Sequence, residues 1–168
     1  MSRAVKIAGL VVIVGFIILQ FFHPGRNLDV IVPENDLPAV VPLPDTVASV
    51  LRNSCYDCHS NSTDYPWYSN ISPVSWLMDR HVRKGKEHLN MGEFGLLEKR
   101  RKISALTEIC EVVESGSMPL KSYQVMHSKA RISEREVEAI CNWAESAALQ
   151  ILREGTSEQG KSSHFVTN

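Results

Sequence analysis

The pentapeptide Cys55-Tyr56-Asp57-Cys58-His59 constrains this chain more than any other feature. Two cysteines three positions apart lie about one helical turn from each other, so both sulfurs can face one side of a helix. In that order, two cysteines and a histidine read as a covalent attachment site for one c-type haem. Cys55 and Cys58 would take the two vinyl groups, and His59 would supply the proximal iron ligand. Cys and His are both scarce, and the positions must match in order.

Other uses of Cys-x-x-Cys fit less well. A redox dithiol sits at a strand-to-helix junction in a βαβ unit, and no such alternation surrounds Cys55. A zinc knuckle needs four ligands, whereas Cys110 and Cys141 each stand without a second Cys or His at knuckle spacing. A structural disulfide across so short a ring is strained. None of the three explains why a histidine follows.

A length of 168 residues allows one domain with appendages. The net charge of −1 argues against a nucleic-acid partner. Residues 7–22 are apolar except for Gln20, and Arg3 and Lys6 precede them. Sixteen helical residues rise about 24 Å, so Ala4 and Val5 must extend the run if it is to span a bilayer, with Lys6 snorkelling. A cleaved signal peptide is the competing reading, but residues 19–24 lack the small pair that cleavage requires. The expectation is an uncleaved signal-anchor over residues 1–22, contacting lipid through 4–22. The positive flank stays inside and the remainder lies outside, on the periplasmic face of a bacterial inner membrane. Such a compartment is oxidising. Cys110 and Cys141 both fall on apolar helical stripes, which suits two buried thiols or a disulfide between them.

Residues 23–44 contain five prolines and read as a semi-extended spacer. The haem-binding domain is expected over 45–154. Its first helix starts near Asp45 and carries Val47, Val50, Leu51 and Ser54 inward to the motif. Ser72 and Pro73 predict the cap and first turn of a second helix, with Val74, Leu77, Met78, His81, Val82 and Leu89 inward. A third helix is read over 96–115, with Ile103, Leu106, Ile109, Cys110 and Val113 inward, ended by Gly116. The last opens with a capping box from Ser133 to Glu136 and carries Val137, Ile140, Cys141, Ala144, Ala148 and Ile151. Residues 155–168 have the composition of a disordered tail. No strand signal appears, and the fold class is all-α. Between Ser60 and Asn70, Tyr65, Trp67 and Tyr68 either cover a haem edge, with polar tips toward a propionate, or pack as a surface loop.

The early motif, Met118-Pro119 in a loop after the third helix, and Asn142-Trp143-Ala144 in the last helix resemble a class I cytochrome c. That resemblance implies about four helices around one haem, preceded here by a transmembrane helix, with Met118 as second iron ligand. Pro119 stiffens the loop, and a thioether is a neutral, soft ligand suited to haem iron. A closer likeness covers most of the chain. Ser54-Cys55-Tyr56-Asp57-Cys58-His59-Ser60-Asn61, Tyr65-Pro66-Trp67-Tyr68-Ser69-Asn70 and Pro73-Val74-Ser75-Trp76 resemble the bacterial haem-binding domain family, as do 85–90 and 118–123. The family's usual Phe and Trp after His88-Leu89-Asn90 appear here as Met91 and Phe94. Met91, His81, His88 and His127 are rival ligands, His81 first among them. His23 and His164 lie in expected flexible ends.

Residues 80–102 hold eight Lys or Arg against three Glu, and residues 108–154 hold eight Glu against five Lys or Arg. Solvated faces account for such runs, and on an electron carrier they would also orient a partner or anionic lipid. The expected function is a membrane-anchored monohaem cytochrome passing single electrons to redox proteins at the membrane, an electron carrier rather more than an enzyme. The alternative is a small-ligand sensor or peroxidase-like haem protein with an exchangeable distal position. A third class is a structural subunit of a respiratory complex.

Overall fold

The structure, a computed structural model, describes residues 2–30 and 32–162, and of 155–162 the backbone alone. Eight α-helices are present among the described residues: α1 (Arg3–Leu19), α2 (Leu37–Val40), α3 (Asp45–Ser54), α4 (Tyr56–His59), α5 (Val74–His88), α6 (Lys99–Glu114), α7 (Lys121–Met126) and α8 (Glu134–Ser162). No strand forms among them, only an isolated bridge between Leu28 and Ser62. The all-α expectation holds.

The core is built where α3, α6 and α8 meet. From α3 come Val47, Val50 and Leu51, from α6 Ala105, Leu106, Ile109 and Val113, and from α8 Ile140, Trp143, Ala144, Ala147 and Ile151. Three- and four-residue spacing puts each set on one stripe, and burying the stripes on each other drives assembly. A disulfide joins Cys110 on α6 to Cys141 on α8, so of the two readings left open the bonded one is found. The capping box is formed: the Ser133 N–H donates to Glu136 Oε2 at 2.8 Å. Gly116 ends α6 with φ +65°, a left-handed conformation that costs glycine little.

Four expectations are corrected. Residues 23–44 are not a free spacer. Leu37 and Val41 between the prolines are wholly buried in the core, and the Trp143 indole N–H donates to the Pro42 carbonyl at 3.0 Å. Proline prevents long helix but not packing, and apolar residues are drawn inward wherever a core will take them. Ser72 does not cap α5; it is buried, and its hydroxyl serves the Phe22 carbonyl and Ser75. The inward face of α5 is Ser75, Val82 and Gly85, while Val74 and Leu77 are exposed. At Gly85 the neighbouring backbone comes too close for any side chain. Finally, α8 runs on to Ser162, through residues given to the disordered tail; no proline interrupts it, and extending a formed helix costs little. Residues 163–168 of that tail lie outside the described residues.

The expected membrane span is not supported in its full length. Helix α1 has 17 residues and no buried side chain, and among the described residues no helix is long and apolar enough to cross a membrane.

The disulfide closes a loop of 31 residues between the two longest core helices. Replacing both partners, Cys110→Ala with Cys141→Ala, should lower the unfolding free energy by about 3 kcal/mol. A urea titration of oxidised wild type against the variant measures it, and dithiothreitol should bring the two curves together.

Candidate haem-attachment site

The motif sits where the chain breaks from α3 into α4. Cys55 leaves helical geometry at φ −126°, ψ −44°, its N–H still donating to Leu51. The N–H groups of Cys58 and His59 then donate to the Cys55 carbonyl at 3.1 and 2.9 Å, which winds both cysteines and the histidine onto one tight turn. Cys55 and Cys58 are free, bonded neither to each other nor to another cysteine.

Helix α5 supports this turn from beneath. A Cβ added at Gly85 would strike the Cys58 carbonyl oxygen, and would stand 3.0 Å from the Cys58 carbonyl carbon and 3.2 Å from its Cβ. Only glycine lets the two backbones approach this closely. Immediately after α5, the carbonyl of Leu89, its C-cap residue, accepts a hydrogen bond from His59 Nδ1 at 3.0 Å. That bond places the imidazole proton on Nδ1 and leaves Nε2 as a lone-pair donor, the arrangement by which proteins orient a metal-binding histidine.

The two middle residues tie the turn to distant segments. The Tyr56 hydroxyl donates to Asp36 Oδ1 at 3.0 Å, reaching the 33–44 segment. The Asp57 carboxylate accepts from the Tyr123 hydroxyl at 2.6 Å and from the Asp64 N–H at 3.1 Å. Asn61 and Asn90 bond side chain to side chain at 2.7 Å, and Asn61 also donates to Glu93.

Charge at the turn is suppressed. Burial, then the neighbouring Cys58, pushes the Cys55 thiol up to about 12. Burial, then the Asp57 charge, pushes Cys58 up to about 11. Thiols raised in this way do not suit a redox dithiol, which needs a sulfur anion near neutral pH. Burial lowers His59 from its ordinary value, against the opposing pull of the Leu89 bond, so the imidazole is neutral at physiological pH. Neutral sulfurs on an apolar flank and a neutral, oriented imidazole fit a haem attached through thioethers. Among the described residues, no group of three or more His, Cys, Asp or Glu could hold a bare metal ion.

The other expected site residues are placed as follows. Met118 is half-buried just past α6, its N–H donating to the Val112 carbonyl at 3.0 Å. The loop it opens returns to the motif through Tyr123, and through the Ser54 hydroxyl to the Ala130 carbonyl. Tyr68 is turned toward His127: its hydroxyl donates to Nε2 at 3.1 Å while His127 Nδ1–H donates to the Tyr123 carbonyl. Both nitrogens of His127 are thus engaged, and its ring stacks on Tyr123 with centroids 4.0 Å apart. Trp67 is 74% exposed. Of the rival ligands, Met91 is enclosed in the core, His81 is half-buried on α5, and His88 is exposed. A groove of about 470 Å³ beside α5 is lined by Arg26, Asn27, Asp29, Arg83, Lys86 and Asn90, and not by the motif.

Sequence reading did not find the Leu89 carbonyl, because a backbone acceptor leaves no residue signature. It missed the Tyr123–Asp57 tie as well, since nothing pairs two polar residues 66 positions apart before the chain is folded. Gly85 did carry a signal: glycine inside a helical pattern costs stability and usually marks close packing.

A model of the haem-binding domain matches residues 14–146. No curated protein matches the chain, and neither does any solved structure.

Gly85→Ala should force α5 and the turn apart, costing about 1–3 kcal/mol, and lower the yield of haem-stained protein on denaturing gels. Tyr123→Phe should cost about 1.5–3 kcal/mol through the lost bond to a carboxylate, read from urea unfolding, while leaving haem staining intact.

Proposed function

The chain belongs to the haem-binding domain family, and from that premise we propose that it is a membrane-anchored monohaem c-type cytochrome that passes single electrons. The observation that carries the reading is the His59 imidazole, tied at Nδ1 to the Leu89 carbonyl, directly after two free cysteines on the same turn. Cys55 and Cys58 are the residues that would hold the haem, through thioethers. His59 would offer Nε2 to the iron, and Met118 its thioether. A bound haem contributes one-electron chemistry through ferrous and ferric iron, and His/Met ligation raises its potential.

This chain's own residues keep that site rigid. Gly85 and Leu89 fix the height and rotation of the imidazole. Asp57 and Tyr123 tie the loop that opens at Met118 to the same turn, so both ligands are referred to one frame. A ligand set that does not move suits a carrier better than an enzyme, and no substrate is required. The partners are redox proteins at the membrane.

The anchor is α1. Its large apolar side chains from Val5 to Ile18, Leu10, Val11, Val12 and Ile13 among them, are well exposed, and a stretch of such surface is unfavourable in water. Its rise of about 25 Å falls short of a hydrocarbon core of about 30 Å. Phe21 and Phe22 lengthen the apolar run at one end, and Lys6 and Arg3 can snorkel at the other. The positive end stays inside, which sets the haem domain on the periplasmic side.

Produced with a c-type maturation system, the full chain should retain haem on a denaturing gel, and Cys55→Ala with Cys58→Ala should abolish the stain. Haem extracted from wild type by acid-acetone would contradict covalent attachment. The ferric protein should be low-spin with the far-red band of sulfur ligation, lost in Met118→Ala and kept in Met126→Ala. A wild type that is high-spin, or that binds CO fully, belongs to the sensor or peroxidase-like class instead.

A further inference from the structure

Gln20 is the one polar residue in the apolar run 7–22, and the structure shows what it does. Its side-chain amide donates to the Ser72 carbonyl at 3.1 Å and accepts from the Ser72 N–H at 3.0 Å. Two more bonds close on the Phe22 carbonyl, from the Ser72 hydroxyl at 3.2 Å and from the Trp76 indole N–H at 2.8 Å. The end of α1 is therefore clasped to the start of α5, with no slack between them.

The first turn of α5 then presents apolar side chains outward, beside that clasp. Val74 is 36% exposed, Trp76 39% and Leu77 50%, and Phe21 and Phe22 next to them are 80% and 62% exposed. The following turn changes character. Arg80, Arg83 and Lys84 are exposed, with Asp79 paired to Arg83 at 3.7 Å. Along α5, moving away from α1, aromatic and aliphatic groups give way to cations within two turns. An indole and apolar neighbours at the end of an apolar helix, followed by Lys and Arg, is the ordering that matches the boundary of a bilayer with its headgroups.

We infer that the first two turns of α5 form a lipid-contacting surface: Val74, Trp76 and Leu77 lie at the acyl boundary, and Arg80, Arg83 and Lys84 meet anionic headgroups. The occupant is the bilayer that holds α1. Two features favour lipid. The surface is continuous with the exposed side chains of α1 through Phe21 and Phe22, and its cations complement anionic phospholipid. The domain then rides flat on the membrane at a fixed orientation, and α5, which carries Gly85 and leads into Leu89, sets the haem turn at a fixed height above it. This inference rests on the reading of α1 as an anchor.

The test uses the full-length haem-loaded chain in vesicles of phosphatidylethanolamine and phosphatidylglycerol. Leu77, and in a second protein Val74, is replaced by photoreactive benzoylphenylalanine; Leu149, 44% exposed on α8, is the control position. Illumination should give lipid adducts from 77 and 74 and only background from 149. A far-UV circular dichroism spectrum of each variant that matches wild type verifies that the domain is folded. Carbonate washing separates the two readings. If the chain resists washing but neither 77 nor 74 captures lipid, the surface is wrong and the anchor stands. A cross-linked dimer from 77 or 74 in place of lipid overturns the inference in favour of a second copy of this chain. A chain released by carbonate overturns both.

Discussion

A glycine at position 85 brings the backbone of α5 against the Cys58 carbonyl, and the rest of the site follows from that contact. With the turn seated so low, the chain leaving α5 passes His59 at hydrogen-bond distance, and the Leu89 carbonyl takes the Nδ1 proton. One close approach thereby sets both the height of the cysteines and the tautomer of the histidine. A side chain of any size at 85 would lift the turn and cost the imidazole its orientation together with its support.

The same turn is where separate parts of the chain are joined. Tyr56 holds the 33–44 segment through Asp36, and Asp57 holds the 118–131 loop through Tyr123. Burial raises the Tyr123 hydroxyl well above its ordinary range, and the Asp57 hydrogen bond and charge reinforce this, so the phenol remains a donor at every physiological pH. Burial does the same for the two thiols. The result is a turn whose polar ties are permanent and whose sulfur face is neutral. Such a face is poorly suited to a redox dithiol, which needs a thiolate near neutral pH.

Away from the motif, the disulfide between Cys110 and Cys141 locks α6 to α8, which form the floor of the core. An oxidising compartment is the ordinary setting for such a bond, and the proposed periplasmic placement of the domain agrees with it. At the other end, the Gln20–Ser72–Trp76 clasp removes the freedom that a proline-rich spacer would have given. Residues 33–44, after that clasp, return to the core through Leu37 and Val41. The chain is tethered twice, once at the end of α1 and once over the core.

By itself the sequence determined the Cys-x-x-Cys-His turn, the all-α class, the starts of α3 and α8, the Gly116 stop and most of the buried stripes on α3, α6 and α8. These depend on local chemistry: a five-residue motif, a capping pair, a left-handed glycine, and apolar residues at helical spacing. Tertiary structure alone decided that Ser75 and Gly85 on α5 are buried while Val74 and Leu77 are exposed, the Cys58 backbone coming too close at Gly85 for any side chain. It also decided the fate of the 23–44 segment and of Ser72, the pairing of the two remaining cysteines, and the partners of His59, Tyr68 and Asp57. Each of these is a contact between positions far apart in the chain. A local pattern records what a residue prefers, and only the assembled core determines which of those preferences can be met together.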